Sequence, residues 1–352
     1  MKHAFLFKLI LLLAIVLRVW SLIHFFPPSL TWDETAIGYN AFGIITVHRD
    51  EWLKRFPLVF QSFGDYKEPL AIYTTAIFEV FFGQTALAVR FPTFIAGVML
   101  VVASYFLAPE IFTGKKEGKR IALFVMFLTA ISPWALHFSM IAFESMIATA
   151  LAAWGAVFLC WGRRKQTWLL VSAVCYGLSL YTYHSAKIVV PLSILLFLFV
   201  YRKEFQKLWK SVVKFFVVLL IVCLPLLYVS VFGKANDRLS GSSFVFDAQG
   251  KLKAVQEIVP TFISHYMVHF SPSYLLLGGE NTYRQSNMKD GILSPLEAML
   301  IVIALVSMVV DKKRRAFWPL IAFILISVIP ATLGNDVPHA NRGLMGLPWM
   351  QL

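Results

Sequence analysis

Residues 31–40 read "TWDETAIGYN" and place Asp33 beside Glu34, and residues 64–70 read "GDYKEPL", adding Asp65, Lys67 and Glu68 ahead of Pro69. A carboxylate can take the proton from an acceptor hydroxyl, and an ammonium can receive the charge that develops on a departing phosphate. A second reading is structural. Acidic residues at the start of a helix cap its first turn and favour its dipole. From the residues alone, both readings stand open for Asp33 and Glu34.

The elements that must hold these groups are apolar. The 352 residues are 59% hydrophobic and only 14% charged, far from the balance of a soluble domain. Apolar runs near 4–26, 88–112, 119–139, 144–162, 167–183, 185–201, 211–232, 293–310 and 315–333 are each about the length that crosses a hydrocarbon layer. The fold class expected is an all-α polytopic membrane protein with about nine or more spans. The first run follows "MKH" and is long for a signal peptide, so it reads as a retained anchor. Cys160, Cys175 and Cys223 lie inside apolar runs without metal-ligand spacing and are expected to pack as small apolar side chains.

Charge sets the expected orientation. The net charge of +13 comes from short clusters between apolar runs, "KKEGKR", "RRK", "RKEFQKLWK" and "DKKRR", and not from one basic face, so a nucleic-acid partner is not expected. If 69–83 does not span, all four clusters fall on the cytoplasmic side with the N-terminus, as the positive-inside rule requires. That short stretch, interrupted by Glu79, is therefore expected to be interfacial or re-entrant. The outer face then carries a first loop (27–87), a second long loop (233–292) and the tail from Gly334. Asp33, Glu34, Asp50, Glu51, Asp65, Glu68 and Glu79 all lie in the first loop, which is where water-facing chemistry is expected. Such a cluster at a membrane surface suits an enzyme handling a sugar on a lipid phosphate.

"WDE", then "DYKEPLAIYTTAIFEVFFG" leading into "AVRFP", resembles the lipid-linked-sugar glycosyltransferases of the GT-C superfamily, in the bacterial branch related to protein O-mannosyltransferases and the lipid A aminoarabinose transferase. "SPWALHFSMIAFESMIA" (132–148), "HFSPSYLLLGGENTYRQSNMKDGILSPLE" (269–297) and "VPHANRGLMGLP" (337–348) follow in the family's order. The resemblance covers nearly the whole chain, and the ordered set is what carries it. It implies a GT-C-type transmembrane bundle over 1–352, expected to be C-terminally incomplete, with interfacial helices in the first outer loop. Asp33 matches the family's first-loop catalytic acid and is expected to be the base, with Glu34 beside it holding the acceptor or setting the field. Two carboxylates so close are expected to repel, which raises one pKa. Lys67 looks like the binder of the lipid phosphate, near Asp65, although Glu68 stands where proline is common and pairing of Lys67 with Glu68 or Asp65 is the alternative. Met140 stands where the family often has arginine, which weakens the link of Glu144 to the site. Arg284, followed by Gln285 where histidine is common, is expected to bind phosphate, and His339 and Arg342 resemble a family motif near the site.

The expected activity is transfer of a mannose-like hexose or related sugar from a polyprenyl-phosphate donor to an acceptor hydroxyl on a glycan, lipid or protein. It would proceed by single displacement with inversion, at the outer face of a bacterial-type inner membrane. No metal is expected to be required, with a divalent ion left open. A lipid-linked-sugar transporter and an O-antigen ligase or polymerase are the rival readings. Arg18 is expected to snorkel or to pair with an acid, and His184 and Lys187 to touch headgroups.

Overall fold

The computed structural model describes residues 2–24, 29–62, 65–112, 117–232, 241, 243–247, 249–278, 280, 290–311 and 317–352. Each expected apolar run forms helix. α1 (Lys2–His24), α4 (Ala86–Ile111), α7 (Glu144–Gly162) and α11 (Trp209–Phe232) are long and apolar enough to cross a membrane. α5 (Glu117–Ile131) and α6 (Pro133–Met140) would make a fifth such span, bent by 54°. α8 (Thr167–Leu180), α9 (Ala186–Val200), α13 (Pro295–Val310) and α14 (Trp318–Thr332) are apolar but shorter, at 14 to 16 residues. α10 (Arg202–Lys207) links α9 to α11, and α12 (Val255–Val268) lies in the second long loop.

The bend has a local cause. Pro133 cannot donate to the preceding turn and holds Ser132 in extended geometry, so α5 ends and α6 starts afresh. Arg18, on α1, meets the break. It is fully buried and neither snorkels nor pairs with an acid, donating instead to the carbonyls of Ala14 and Ala130 and to Ser139 Oγ. Carbonyls at a helix end lack intrahelical partners, which is what a guanidinium can supply in an apolar interior.

The principal core runs through α4, α7, α8, α9 and α14, with Tyr176, Phe197 and Phe323 among its fully buried side chains. Cys160 belongs to it, and all three cysteines are free. α1 and α11 leave wide apolar faces exposed, as helices bordered by lipid do. A smaller core joins the first loop to the bundle. There α2 (Trp32–Thr46) and α3 (Pro69–Phe82) bring Ile37, Ala41, Ile72 and Ala76 against Val89 of α4. Between them, β1 (Phe60–Ser62) and β2 (Asp65–Lys67) pair antiparallel, Phe60 opposite Lys67. α15 (Ala340–Gly343) and α16 (Leu347–Gln351) follow, packed on α14, and the 3-10 turn between them, Leu344–Gly346, packs on α14 and α7.

Candidate active site

Asp33 and Glu34 both lie in the first turn of α2, yet they have different partners. Thr31 caps the helix: its Oγ1 accepts from the Glu34 amide, and Glu34 Oε2 accepts from the Thr31 amide at 2.9 Å. This is a capping box. The rest of the Glu34 carboxylate is taken by Arg90 of α4, whose Nε lies 2.7 Å from Oε1 and whose Nη2 lies 3.1 Å from Oε2, and by the Ala142 amide at 3.2 Å. Glu34 is fully buried. A bidentate guanidinium and two amides fix it, so its geometry is that of a clamp between the first loop, α4 and the segment after α6.

Asp33 turns elsewhere. Lys67 Nζ, at the end of β2, lies 2.8 Å from Asp33 Oδ1 and 3.4 Å from Glu144 Oε1. Glu144 opens α7, where a carboxylate also favours the helix dipole. The ammonium thus stands between two carboxylates drawn from positions 34 and 77 residues away in sequence. Side-chain exposure separates the three: 7% for Lys67, 7% for Glu144 and 19% for Asp33. Asp33 is the member that solvent reaches most easily. The mutual repulsion expected of the adjacent pair is offset, since each carboxylate has its own cation.

Among the described residues, Lys67 pairs with Asp33 and Glu144 and not with Glu68. Successive residues of an extended strand point to opposite sides, and Glu68 turns to the 181–187 segment. There Lys187 Nζ lies 2.6 Å and His184 Nδ1 3.3 Å from Glu68 Oε1, while His184 Nε2 donates to the Tyr66 carbonyl at 2.8 Å. His184 and Lys187 therefore hold protein groups where headgroup contacts were expected. Arg284 and the side chain of Asp65 lie outside the described residues.

His339 and Arg342 belong to a second cluster. His339 precedes α15, its amide donating to His269 Nε2 at 3.1 Å and its Nδ1 accepting from the Arg342 amide. Glu280 is buried there and accepts from the Ala340 amide at 2.7 Å. Burial, with His265 nearby, lowers the pKa of His269, consistent with a neutral ring whose Nδ1 donates to the His265 carbonyl and whose Nε2 accepts. The guanidinium of Arg342 packs over Gly334, where a side chain would collide with it. Among the described residues, no three His, Cys, Asp or Glu side chains converge as metal ligands.

Two parts escaped sequence reading. Arg90 carried a signal, since a charge near the start of an apolar span is costly unless paired. The Glu68–His184–Lys187 set had none, because Glu68 lies more than a hundred residues before the other two and each reads as ordinary loop polarity.

With this geometry in hand, the likenesses are informative. The family model described as "Dolichyl-phosphate-mannose-protein mannosyltransferase" matches residues 66–229, somewhat under half of the chain. That stretch contains Lys67, Arg90 and Glu144 but not Asp33. No curated protein matches. Among solved structures, ArnT from Cupriavidus metallidurans in the apo state superposes with a TM-score of 0.64 at 14% identity, covering 100% of this chain and 59% of that one. ArnT bound to undecaprenyl phosphate gives a TM-score of 0.62 at 13% identity, over 99% of this chain and 58% of that one. The Archaeoglobus fulgidus oligosaccharyltransferase AglB, in complex with an inhibitory peptide and a dolichol-phosphate, gives 0.61 at 16% identity, over 99% and 50%. The chain thus spans half to three-fifths of the length of these proteins.

Proposed function

We propose that this protein is a GT-C-type glycosyltransferase that transfers a sugar from a polyprenyl-phosphate donor to an acceptor hydroxyl, a reading supported by its likeness in fold to ArnT and by the family model over 66–229. One observation carries the reading: the Asp33–Lys67–Glu144 cluster, a buried ammonium between two carboxylates of which Asp33 is the most open.

In this reading Asp33 accepts the proton of the acceptor hydroxyl as its oxygen attacks the anomeric carbon. The new carbon–oxygen bond forms while the bond from that carbon to the phosphate oxygen breaks. The electron pair leaves with the polyprenyl phosphate, and Lys67 stands where it can meet that charge. Attack opposite the leaving phosphate inverts the configuration. Glu144 holds the ammonium, and Glu34 with Arg90 holds the turn that presents Asp33. The ammonium between two carboxylates also supports a site that needs no metal, because Lys67 already stands where a cation would be attracted.

The finer terms of the proposal are a mannose-like hexose, an acceptor that is a glycan, lipid or protein, and a cluster at the outer face of a bacterial-type inner membrane with the N-terminus in the cytoplasm. Arg284, His339 and Arg342 are assigned to the substrate's phosphate side. The likeness to a protein crystallised with undecaprenyl phosphate supports the donor class.

The test uses membranes containing the full chain, a panel of polyprenyl-phosphate hexoses, and mass spectrometry of whatever gains the sugar. Asp33→Asn removes the base and keeps the size, and turnover should fall by roughly 10²- to 10⁴-fold with the thermal transition unchanged. Transfer at the wild-type rate in that variant overturns the assignment of Asp33.

A further inference from the structure

Lys67 must stay within hydrogen-bond reach of two carboxylates, and its own element is too small to keep it there. β2 has three residues and one partner strand, also of three. A two-stranded ribbon of this length is marginal in water by itself. Lys67 is its last residue, and the ladder ends with it.

The next residue is fastened from outside. Glu68 is 1% exposed, and its side chain makes no cap to the helix it precedes. Lys187 and His184 face its carboxylate instead, at 2.6 and 3.3 Å. Two backbone ties flank this contact: His184 Nε2 donates to the Tyr66 carbonyl at 2.8 Å, and the Leu70 amide donates to the Tyr181 carbonyl at 3.0 Å. The 181–187 turn therefore holds residues on both sides of Lys67. The backbone it holds is extended, as a residue before Pro69 is biased to be. Glu68 sits at φ −71°, ψ 149°, within the narrow φ range that a proline ring imposes covalently.

We propose that Glu68, His184 and Lys187 form an electrostatic latch that fixes the β2–α3 junction, and that these are positioning residues for Lys67. The latch does the work a proline at position 68 would do: it restricts φ, with the charges of a neighbouring turn in place of a ring. This rests on the reading of Lys67 as the group facing the leaving phosphate, but the geometry of the latch does not.

The rescue is the test. Lys187→Met should lower kcat about tenfold, because a group displaced by ~1 Å at a site of this kind loses one to two orders of magnitude. Lys67, 6% exposed in the native protein, should become open to acylation by an amine reagent, read by mass spectrometry of the purified full chain. Adding Glu68→Pro to Lys187→Met should restore both turnover and protection, and Glu68→Gln alone should reproduce the loss. Unchanged turnover and unchanged protection in Lys187→Met overturn the latch. So does failure of Glu68→Pro to restore protection in a double variant that keeps the native thermal transition. A double variant that melts is replaced by the Glu68→Gln arm, in which continued protection of Lys67 overturns the proposal. If wild-type protein transfers no sugar, the functional reading fails while the protection pattern still decides the latch.

Discussion

Neighbouring residues in sequence can be given unlike tasks by where their helix turns them, and Asp33 and Glu34 are the case in point. Glu34 accepts from Arg90 twice and from two backbone amides, whereas Asp33 faces Lys67. Removing the charge of Glu34 would leave the Arg90 guanidinium buried without its counter-ion. Glu34→Gln should therefore destabilise the fold by about 3 kcal/mol, the scale of breaking a buried ion pair. The check is thermal unfolding in detergent, where Glu34→Gln should melt lower and Asp33→Asn should not. Equal melting of the two variants would contradict the division. The types of residue in "WDE" and "DYKE" were legible in the sequence. Their pairing was not, because strand alternation sends Lys67 away from Glu68, and its partners arrive from 34 and 77 residues off. Of the two readings offered for the acidic pair, capping describes Glu34, and Asp33 is left facing Lys67.

Helices of the first loop were legible for the same reason that their packing was not. The short apolar stretch interrupted by Glu79 is α3, and its length follows from composition alone, but what faces Glu79 depends on α2 and α4. Glu79 is buried, and a Cβ at Gly38 would lie 3.3 Å from its Oε1, so α2 approaches α3 there through a bare backbone. Burial pushes the Glu79 carboxyl up to about 7. The sign follows from linkage: a carboxyl whose folded value lies above its unfolded one is stabilising in its neutral form, and that contribution is lost as pH rises through the folded value. The α2–α3 pair should then loosen between about pH 5 and 8, and hydrogen exchange of the α3 amides should quicken over that window. Glu79→Gln should abolish the pH dependence and keep the slow exchange. Exchange that stays pH-sensitive in Glu79→Gln, beyond the intrinsic chemical rate, would assign the effect to another group. Burial, with the Asp50 carboxylate adding to it, also holds the Tyr73 phenol up at about 12, so it stays neutral and donates to the Pro57 carbonyl throughout.

At the scale of the molecule, all nine apolar runs appear as helix, because a run of that composition has nowhere to satisfy its backbone in lipid except within itself. Their lengths and mutual packing are set by contacts that composition does not record, such as the Arg18 junction at the α5–α6 bend. The charges fall at two ends of the bundle. Glu144 opens α7, and at the far end of that 19-residue helix Arg163 and Arg164 flank Glu110 of α4, at 2.9 and 2.8 Å. Arg163 also lies over the Tyr201 ring at 4.0 Å. A helix of that length separates the clusters by about 28 Å, well beyond the ~8 Å over which exposed charges act in physiological salt. The far cluster should thus support the fold without touching the chemistry. Glu110 is buried, but the Arg164 side chain is largely exposed and can return to water, so Glu110→Gln should cost about 1–2 kcal/mol, less than a fully buried pair. Its melting point should fall while turnover per folded molecule, counted by a folded-state probe, stays at the wild-type value. A loss of turnover in folded Glu110→Gln protein would mean that the two ends are coupled through α4 and α7, and the picture of a local site held by the first loop would have to give way to one in which the whole bundle sets the position of Lys67.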